Sequence, residues 1–361
     1  MPSDLSTGVS LHSHTSRSRE TMCFIPRYVD KVPYLSWRIR ALEAKYLNHH
    51  GRHFDYTRVW WMPPLQPKAA FDLERKQIES LGLDAVVSLS DHDNVDAGFA
   101  LRMFSDCTGS PISSEWTIPI QNSFLHIGVH NMQPGRARML QDAMQQVTAR
   151  PEYSYVDAML DELSRDPGTL IVLNHPLWDE NRIGVDSHLR MLDAFLERHG
   201  RNIHALELNG LRSMAENLRV QKLALQTGRP LVTGGDRHGC EPNALLNLTR
   251  AKSFSEFAAE IREGAPTQSL FMPQYEEPLK LRLLQVTSDV LRTYEDFDLD
   301  RRRWSDRIFF DDEDGTVRRI SDVWKGNGPD LIGQFVSLMR LVEFRQVRAV
   351  LRLALESSRC G

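Results

Sequence analysis

Short apolar runs alternate with amphipathic stretches over most of the first 250 residues. Apolar runs that end at glycine or polar residues are typical of buried strands, whereas apolar residues three and four apart indicate helices. Strands are predicted at 9–15, 84–90, 111–118, 123–130, 169–173, 203–210 and 229–233. Helices are predicted at 71–81, 97–104, 135–149, 153–165, 187–199, 214–227 and 254–263. This alternation favours βαβ units and a mainly parallel sheet.

Two stretches depart from this alternation. Residues 23–67 fit no simple βα unit, although they contain a helical pattern at 35–47 and an aromatic run that ends at Trp60 and Trp61. They are predicted to form an insertion after the first strand, which can act as a lid over a site. Residues 278–293 alternate apolar and polar positions and are predicted to form a strand.

The last predicted helix, at 331–355, is apolar along one face only. Charged residues interrupt it at Arg340, Glu343, Arg345, Arg348 and Arg352. It is therefore predicted to be amphipathic and not a membrane span, and it offers a face through which the chain can form a homo-oligomer. We predict one α/β domain at 1–250, with the insertion inside it, and a C-terminal extension at 251–361.

Composition and charge narrow the class of protein. The chain has 361 residues, of which 41% are hydrophobic and 25% charged, as in ordinary soluble globular proteins. A formal net charge of -4 gives no electrostatic basis for binding long nucleic acid. No apolar signal segment is found at the N-terminus, and no Cys-x-x-Cys motif occurs, so a cytoplasmic location with reduced thiols is expected. The four cysteines are Cys23, Cys107, Cys240 and Cys360.

Polar residues that can bind metal stand where the apolar strands end. His12 and His14 are two residues apart, as are Asp236 and His238, so each pair can share one side of an extended chain. In parallel barrels the C-terminal ends of the strands form the active-site face. Imidazoles combined with carboxylates suit zinc, iron or manganese. The predicted metal ligands are His12, His14, His92, Glu115, His126, His175, Asp236 and His238.

The order of these motifs resembles that of the polymerase and histidinol phosphatase (PHP) family, from about residue 9 to 240. The resemblance rests on His-x-His, then Asp-His, then a Glu and two His, and a closing Asp-x-His. It implies an α/β fold, a distorted (β/α)7 TIM-like barrel within residues 1–250, and two or three divalent ions, zinc, manganese or iron. It also implies that His12, His14, Glu115 and Asp236 hold the first ion, Glu115, His126 and His175 the second, and His92 and His238 the third.

Two positions leave alternatives open. Where the family usually has a further Asp or His ligand, this chain has Arg19, with Glu20 next to it. Either Glu20 binds the third ion, or that ion is weak or absent and Arg19 contacts a phosphate oxygen through its planar guanidinium. His126 and His130 can also share a strand face, and His126 is the preferred ligand.

The expected function is metal-dependent hydrolysis of a phosphate ester, with a hydroxide that bridges two ions through Glu115 as the nucleophile. The substrate is expected to be a small phosphomonoester, a nucleotide or a short oligonucleotide, with no long nucleic acid and no membrane partner. Arg19 would neutralise charge, and Asp93, His130 or water would protonate the leaving oxygen. One alternative is hydrolysis of a C–N or carboxylic ester bond on the same barrel. Another is a non-catalytic, metal-stabilised scaffold.

Overall fold

The chain divides into two compact units. The computed structural model describes residues 5–22, 33–265, 267–312, 315–323 and 330–357. The first unit comprises residues 1–18, 63–290 and 339–361, and the second comprises 19–62 and 291–338. Cys23 and Cys360 lie outside the described residues.

The strands of the first unit form two sheets. They are β1 (Thr7–Ser10), β4 (Asp84–Val87), β5 (Ser114–Ile120), β6 (Ser123–His130), β7 (Leu170–Leu173), β8 (Ala205–Asn209), β9 (Leu231–Gly234), β10 (Leu245–Thr249) and β11 (Gln268–Phe271). One sheet has the order β11-β10-β1-β4, with β1 parallel to β4 and antiparallel to β10. The other has the order β5-β6-β7-β8-β9, in which only β7, β8 and β9 are mutually parallel.

Up to residue 262 the helices of the first unit overlap the predicted helices, and two more follow later in the chain. They are α2 (Pro67–Glu79), α3 (Asp96–Leu101), α4 (Ala137–Ala149), α5 (Tyr153–Ser164), α6 (Val185–His199), α7 (Met214–Thr227), α8 (Phe254–Arg262), α9 (Leu279–Leu291) and α12 (Arg345–Ser357). Helix α7 shows why such boundaries can be read from sequence. The Ser213 hydroxyl accepts a hydrogen bond from Glu216 N–H, and Gly228 ends the helix with a φ of 63°.

The predicted distorted (β/α)7 TIM-like barrel is wrong, because the strands lie in separate sheets of four, four and five strands. Between the two sheets of the first unit, strand pairing in the described residues is reduced to the isolated bridges Ser13–Arg237 and His92–Glu115. His12 and Asp236 have φ values of 60° and 55°, and residues in this left-handed region cannot continue a ladder. In addition, β5 and β6 form an antiparallel hairpin with no helix between them. The same polar residues that end the strands therefore interrupt the sheet.

An apolar core joins the two sheets of the first unit. Val9 of β1 packs in one cluster with Val172, Ala205 and Val232, and Phe257 of helix α8 belongs to the same cluster. All five side chains are at most 1% exposed. Strands buried on both faces read as continuous apolar runs, and for this reason β7 and β9 are visible in the sequence.

The second unit has its own sheet, built from two distant parts of the chain. Its strands are β2 (Glu20–Thr21), β3 (Val59–Trp61), β12 (Ile308–Asp311) and β13 (Val317–Arg319), and its helices are α1 (Pro33–His50), α10 (Ile320–Val323) and α11 (Asp330–Met339). Strand β3 pairs with both β2 and β12 in antiparallel fashion. The Trp60 ring stacks on Phe309, with ring centroids 4.3 Å apart. The end of the aromatic run in the predicted insertion thus forms β3, an inner strand of this sheet.

Two local predictions after residue 250 are wrong. Residues 278–293 were expected to be a strand, but most of them form helix α9. The apolar and polar alternation there is short, and thirteen residues without a turn signal suit a helix better than a strand. The single helix predicted at 331–355 is divided into α11 and α12 by a 3-10 turn at Arg340–Glu343. Within the described chain, none of the helices combines the length and hydropathy that a bilayer crossing requires.

Candidate metal centre

The structure brings the eight predicted ligands into one connected group. His12 and His14 follow β1, His92 follows β4, and Glu115 lies near the start of β5. His126 lies within β6, His175 follows β7, and Asp236 and His238 follow β9. The members of the group approach one another as side-chain pairs that involve Glu115 or Asp236. Residues from six strand regions therefore converge on one small volume.

Glu115 is the centre of this group, and its two carboxylate oxygens face different imidazoles. Oε2 lies 3.0 Å from His12 Nε2, 3.2 Å from His14 Nε2 and 3.3 Å from His92 Nε2. Oε1 lies 3.2 Å from His175 Nε2 and 3.4 Å from His126 Nδ1. A carboxylate arranged in this way can hold one ion on each oxygen.

Asp236 lies beside the first two histidines of the group. Its Oδ1 lies 3.7 Å from His12 Nε2 and 3.6 Å from His14 Nε2. His238 Nδ1 is 3.4 Å from the same oxygen, and the His238 ring stacks on His14 at 4.2 Å between centroids. The ring of His92 stacks on His14 as well, at 4.8 Å. His14 thus has the rings of His92 and His238 near it.

The charges of the group suit a cation. Burial alone would raise the pKa of Glu115, but His12, His92 and His126 hold it well below the ordinary value. Burial also opposes ionisation of Asp236, whose pKa is nevertheless held well below the ordinary value, chiefly by His12. Desolvation lowers the pKa of His126 well below the usual range. His12 differs, because burial lowers its pKa but the carboxylates around it raise the pKa well above the ordinary value, so a cation that binds there displaces a proton. Ionised carboxylates and neutral imidazoles are the forms in which these side chains bind metal.

The spacing of the donor atoms also fits metal ions. Ligand atoms about 2.0–2.1 Å from a tetrahedral ion lie roughly 3.3 Å from one another. The pairs formed by Glu115, His12 and His14 are 3.0 and 3.2 Å apart, and those on the other carboxylate oxygen are 3.2 and 3.4 Å apart. Geometrically, His12, His14 and Glu115 form one possible ion site, and His92, Glu115 and His126 form another. The residues present therefore fit the ions that the sequence resemblance implies.

Several of these residues adopt strained backbone conformations. His12, His175 and Asp236 have φ values of 60°, 27° and 55°, in a region that non-glycine residues seldom occupy. Such conformations cost about 1–3 kcal/mol each and persist where the surrounding structure fixes them, often at functional sites. The strain turns each side chain out of its strand and toward the shared centre.

Glu207 is a supporting residue that the sequence analysis missed. Its Oε1 lies 2.5 Å from His12 Nδ1, and its Oε2 accepts hydrogen bonds from the His175 N–H at 2.8 Å and from Asn209 Nδ2 at 2.9 Å. A Cβ on Gly234 would lie 1.7 Å from Glu207 Oε1, so only glycine leaves room for this carboxylate. The sequence did offer one sign of its role: Glu207 is a carboxylate within the apolar strand β8, away from solvent.

We expect Glu207→Gln to weaken zinc binding by about 10–100-fold, because a neutral amide orients the predicted ligand His12 less strongly than a carboxylate does. Titration of the metal-free protein against a competing chelator measures this change. The exposed Glu263 gives a matched control, since Glu263→Gln removes the same charge far from the group. Unchanged zinc affinity in Glu207→Gln would show that this carboxylate does not act on the metal ligands.

The residues predicted to assist catalysis lie in different surroundings. Asp93 accepts a hydrogen bond from Thr117 N–H at 3.0 Å, and burial raises its pKa. His130 is buried and bonded to Ser88 Oγ at 2.8 Å, and desolvation lowers its pKa to about 3. His126 lies beside Glu115, with its Nδ1 3.4 Å from Oε1, and the preference for His126 over His130 as a ligand stays a prediction.

Arg19 and Glu20 belong to the second unit. The Arg19 guanidinium lies 4.8 Å from the centre of the Trp60 ring, and Glu20 pairs with Trp61 in the sheet of that unit. The choice between Glu20 as a ligand and Arg19 as a phosphate contact stays a prediction from the sequence.

Arg237, which stands between two predicted ligands, points away from them. Its guanidinium pairs with Glu74 at 2.9 Å and donates to the carbonyl oxygens of His14 at 3.0 Å and Gly239 at 2.8 Å. Glu74 also accepts from the Asn243 N–H at 3.0 Å. This buried ion pair ties the loop after β1 to the loop after β9.

Three further residues near the group were not predicted. Arg212 lies with its guanidinium 3.7 Å from Asp236 Oδ2 and 3.8 Å over the Trp178 ring. Burial raises the pKa of Glu180, while His175 and Arg212 are among the charges that oppose the rise. These residues lie within the loops that follow β7 and β8. They are not directly at the ends of the strands, so the hydrophobic pattern of the sequence did not single them out.

Comparison with known proteins gives little sequence similarity. No protein-family model matches the chain, and no curated protein matches it. Solved structures that resemble it include a candidate metal-dependent phosphoesterase from Bifidobacterium adolescentis, at 14% identity and a TM-score of 0.31, over 50% of this chain and 85% of that one. PsfC from Pseudomonas syringae matches at 14% identity and a TM-score of 0.43, over 75% of this chain and 93% of that one. An amidohydrolase from Chromobacterium violaceum, solved with bound sulfate and no metal, matches at 13% identity and a TM-score of 0.36, over 76% and 95%. Scores of this size carry no inference about activity.

Proposed function

We propose that the chain is a metal-dependent hydrolase of phosphate esters. The observation that carries the proposal is Glu115, whose two oxygens face separate sets of imidazoles at 3.0–3.4 Å. A bridging carboxylate holds two ions close together, which is the arrangement that suits in-line displacement at phosphorus.

The proposed ligands divide around this carboxylate. His12, His14, Asp236 and Glu115 would hold one ion, and Glu115, His126 and His175 would hold another. We propose a weaker third position at His92 and His238. Divalent ions supply Lewis acidity, which lowers the pKa of water and neutralises charge that develops on phosphate oxygens.

The remaining residues bind and orient the substrate. Arg212 is a cation beside the group, and its contact with the Trp178 ring restricts the guanidinium to a narrow range of positions. We propose that it pairs with a phosphate oxygen that the ions leave exposed. Glu180, whose pKa burial raises, keeps its proton to higher pH than an ordinary glutamate and can donate it to the leaving oxygen. The proposed substrate is a small phosphomonoester, a nucleotide or a short oligonucleotide.

The proposal for Arg19 rests on sequence position alone. We propose that its guanidinium contacts a phosphate oxygen and that the third ion binds weakly. Three ions at full occupancy, with one lost on Glu20→Gln, would contradict this and make Glu20 a ligand.

A specific observation favours a second candidate, hydrolysis of a C–N or carboxylic ester bond. Trp178 and Glu180 place an apolar ring and one acid of raised pKa near His175. One acid beside an apolar surface can protonate an amine or alcohol that leaves a carbonyl carbon.

The test is turnover of three chromogenic substrates by the full chain: p-nitrophenyl phosphate, bis-p-nitrophenyl phosphate and p-nitrophenyl acetate. Each is measured as purified, after chelation, and after addition of manganese or zinc, with metal content determined in parallel. We expect two ions per chain and phosphate-ester turnover that chelation removes and metal restores. Acetate turnover without phosphate turnover would favour the second candidate, and a chain that binds no metal would overturn both.

A further inference from the structure

Helix α9, which lies in the region after residue 250, carries two charged side chains that are almost fully buried. Arg282 is 6% exposed and Asp289 is 3% exposed. The two residues are seven positions apart, which is about two helical turns, so they stand on the same face of the helix. Burying charges is costly unless polar partners compensate them, and the partners of these two residues include backbone groups in loops of the candidate metal centre.

Arg282 holds the loop that follows β8. Its guanidinium donates hydrogen bonds to the carbonyl oxygens of Gly210 and Arg212, the latter at 3.2 Å, and it lies 4.4 Å over the Tyr275 ring. The Tyr275 hydroxyl donates to the same Arg212 carbonyl at 3.1 Å. Two side chains thus fix the main chain at Arg212.

The side chain of Arg212 depends on this main-chain position. The guanidinium reaches Asp236 Oδ2 at 3.7 Å and the face of Trp178 at 3.8 Å. Its Nε makes no hydrogen bond to the residues that the structure describes, and Glu216 Oε1 lies 3.9 Å from it, beyond hydrogen-bond distance. A guanidinium held by its backbone and by a ring, with donor capacity left over, is prepared for an anion.

Asp289 holds the next loop in a similar way. Its Oδ2 accepts a hydrogen bond from the Cys240 N–H at 2.7 Å. A Cβ on Gly239 would come within 2.6 Å of the same oxygen, so the loop passes directly over the carboxylate. This loop follows Asp236 and His238. One face of helix α9 therefore supports both loops on this side of the centre.

We propose that Arg282 is a positioning residue that acts through Arg212, and that helix α9 makes the C-terminal region part of the anion-binding side of the site. The kinetic part of this proposal rests on the proposed function, in which Arg212 contacts the phosphate group. The structural part, that Arg282 holds the loop, does not depend on the reaction.

A double-mutant cycle in the full chain tests the kinetic part, with p-nitrophenyl phosphate as the substrate. We expect Arg282→Met to raise KM about tenfold with kcat changed less than about threefold, since loss of a binding contact appears in KM. Arg212→Met should have the same pattern and at least the same size. The double variant should be no worse than Arg212→Met alone, because residues that act through one another are not additive. Effects that multiply in the double variant would overturn the proposal.

Amide hydrogen exchange tests the structural part without any substrate. The amides of Leu211 and Arg212 bond to the side chain and carbonyl of Asn209, so their exchange reports whether the loop is closed. Faster exchange there in Arg282→Met, and not in the exposed control Lys280→Met, is the expected result. Unchanged exchange would overturn the proposal even if the enzyme hydrolyses phosphate.

A milder variant covers the case in which Arg282→Met does not fold. Tyr275→Phe removes only the hydroxyl that bonds the Arg212 carbonyl. It should loosen the same amides and raise KM in the same direction, by a smaller factor. Lack of turnover in the unmodified chain would count against the proposed function, whereas the exchange result would still decide the role of Arg282.

Discussion

Replacement of Glu115 by glutamine is expected to abolish retention of metal and to lower kcat/KM by at least about a thousandfold, since changes in supporting residues alone cost 10–100-fold. The substitution keeps the shape of the side chain but removes the charge that five imidazoles face. Both carboxylate oxygens take part, so both proposed ion positions are affected together. Metal content after dialysis and steady-state kinetics with p-nitrophenyl phosphate measure the two effects.

The control for this variant is again Glu263→Gln, which should leave metal content and kinetics unchanged. Circular dichroism of the metal-free proteins checks that the variant still folds. A Glu115→Gln protein that keeps two ions and full turnover would contradict the proposed role of Glu115 as the bridging ligand.

The second large effect concerns stability. Arg237→Met is expected to lower the free energy of unfolding by about 3–5 kcal/mol, because it leaves a buried carboxylate without its charged partner. Arg237 is 4% exposed and Glu74 is fully buried, and burial raises the pKa of Glu74 while Arg237 opposes that rise. Urea unfolding with excess chelator measures the loss without a contribution from bound metal.

An exposed arginine serves as the comparison. The Arg138 side chain is 65% exposed in its pair with Asp96, so Arg138→Met should cost less than about 1 kcal/mol. Replacing Glu74 by methionine in the Arg237→Met background should restore part of the stability, since an apolar pair avoids the unpaired charge. A loss below about 1 kcal/mol in Arg237→Met would show that the ion pair contributes little.

The local elements of the fold could be predicted from sequence because the physics that forms them is local. Strand β7 is an unbroken apolar run, and helix α7 begins at a serine cap and ends at a glycine.

The arrangement of the strands could not be predicted in the same way. The pairing of Val59–Trp61 with Ile308–Asp311 joins segments with no shared pattern. The left-handed backbone at His12 and Asp236, which divides the sheets, is a tertiary constraint that residue type does not reveal.

The side chains of the candidate metal centre were predictable for a related reason. His12, His92 and His175 follow strands that could be recognised, so their positions in sequence marked their positions in space. The residues that support them were hidden. Glu207 lies inside an apolar strand, and Arg282 was placed in a predicted strand that is a helix. Their partners are backbone atoms and side chains far away in sequence, and one sequence contains no record of such contacts.

The pairing of β1 with β10 has a consequence for how the protein is made. Thr7 lies opposite Thr249, so the central strand pair of one sheet joins the first part of the chain to a part that is synthesised much later. At about 5–20 residues per second, a ribosome needs roughly 10–50 s to extend the chain from one partner to the other. His12 and His14 emerge at the start of that interval, and Asp236 emerges near its end. Under the proposed assignment, the ligands of the first ion are therefore complete only once Asp236 has been synthesised, and a growing chain carries His12 and His14 before it carries that carboxylate.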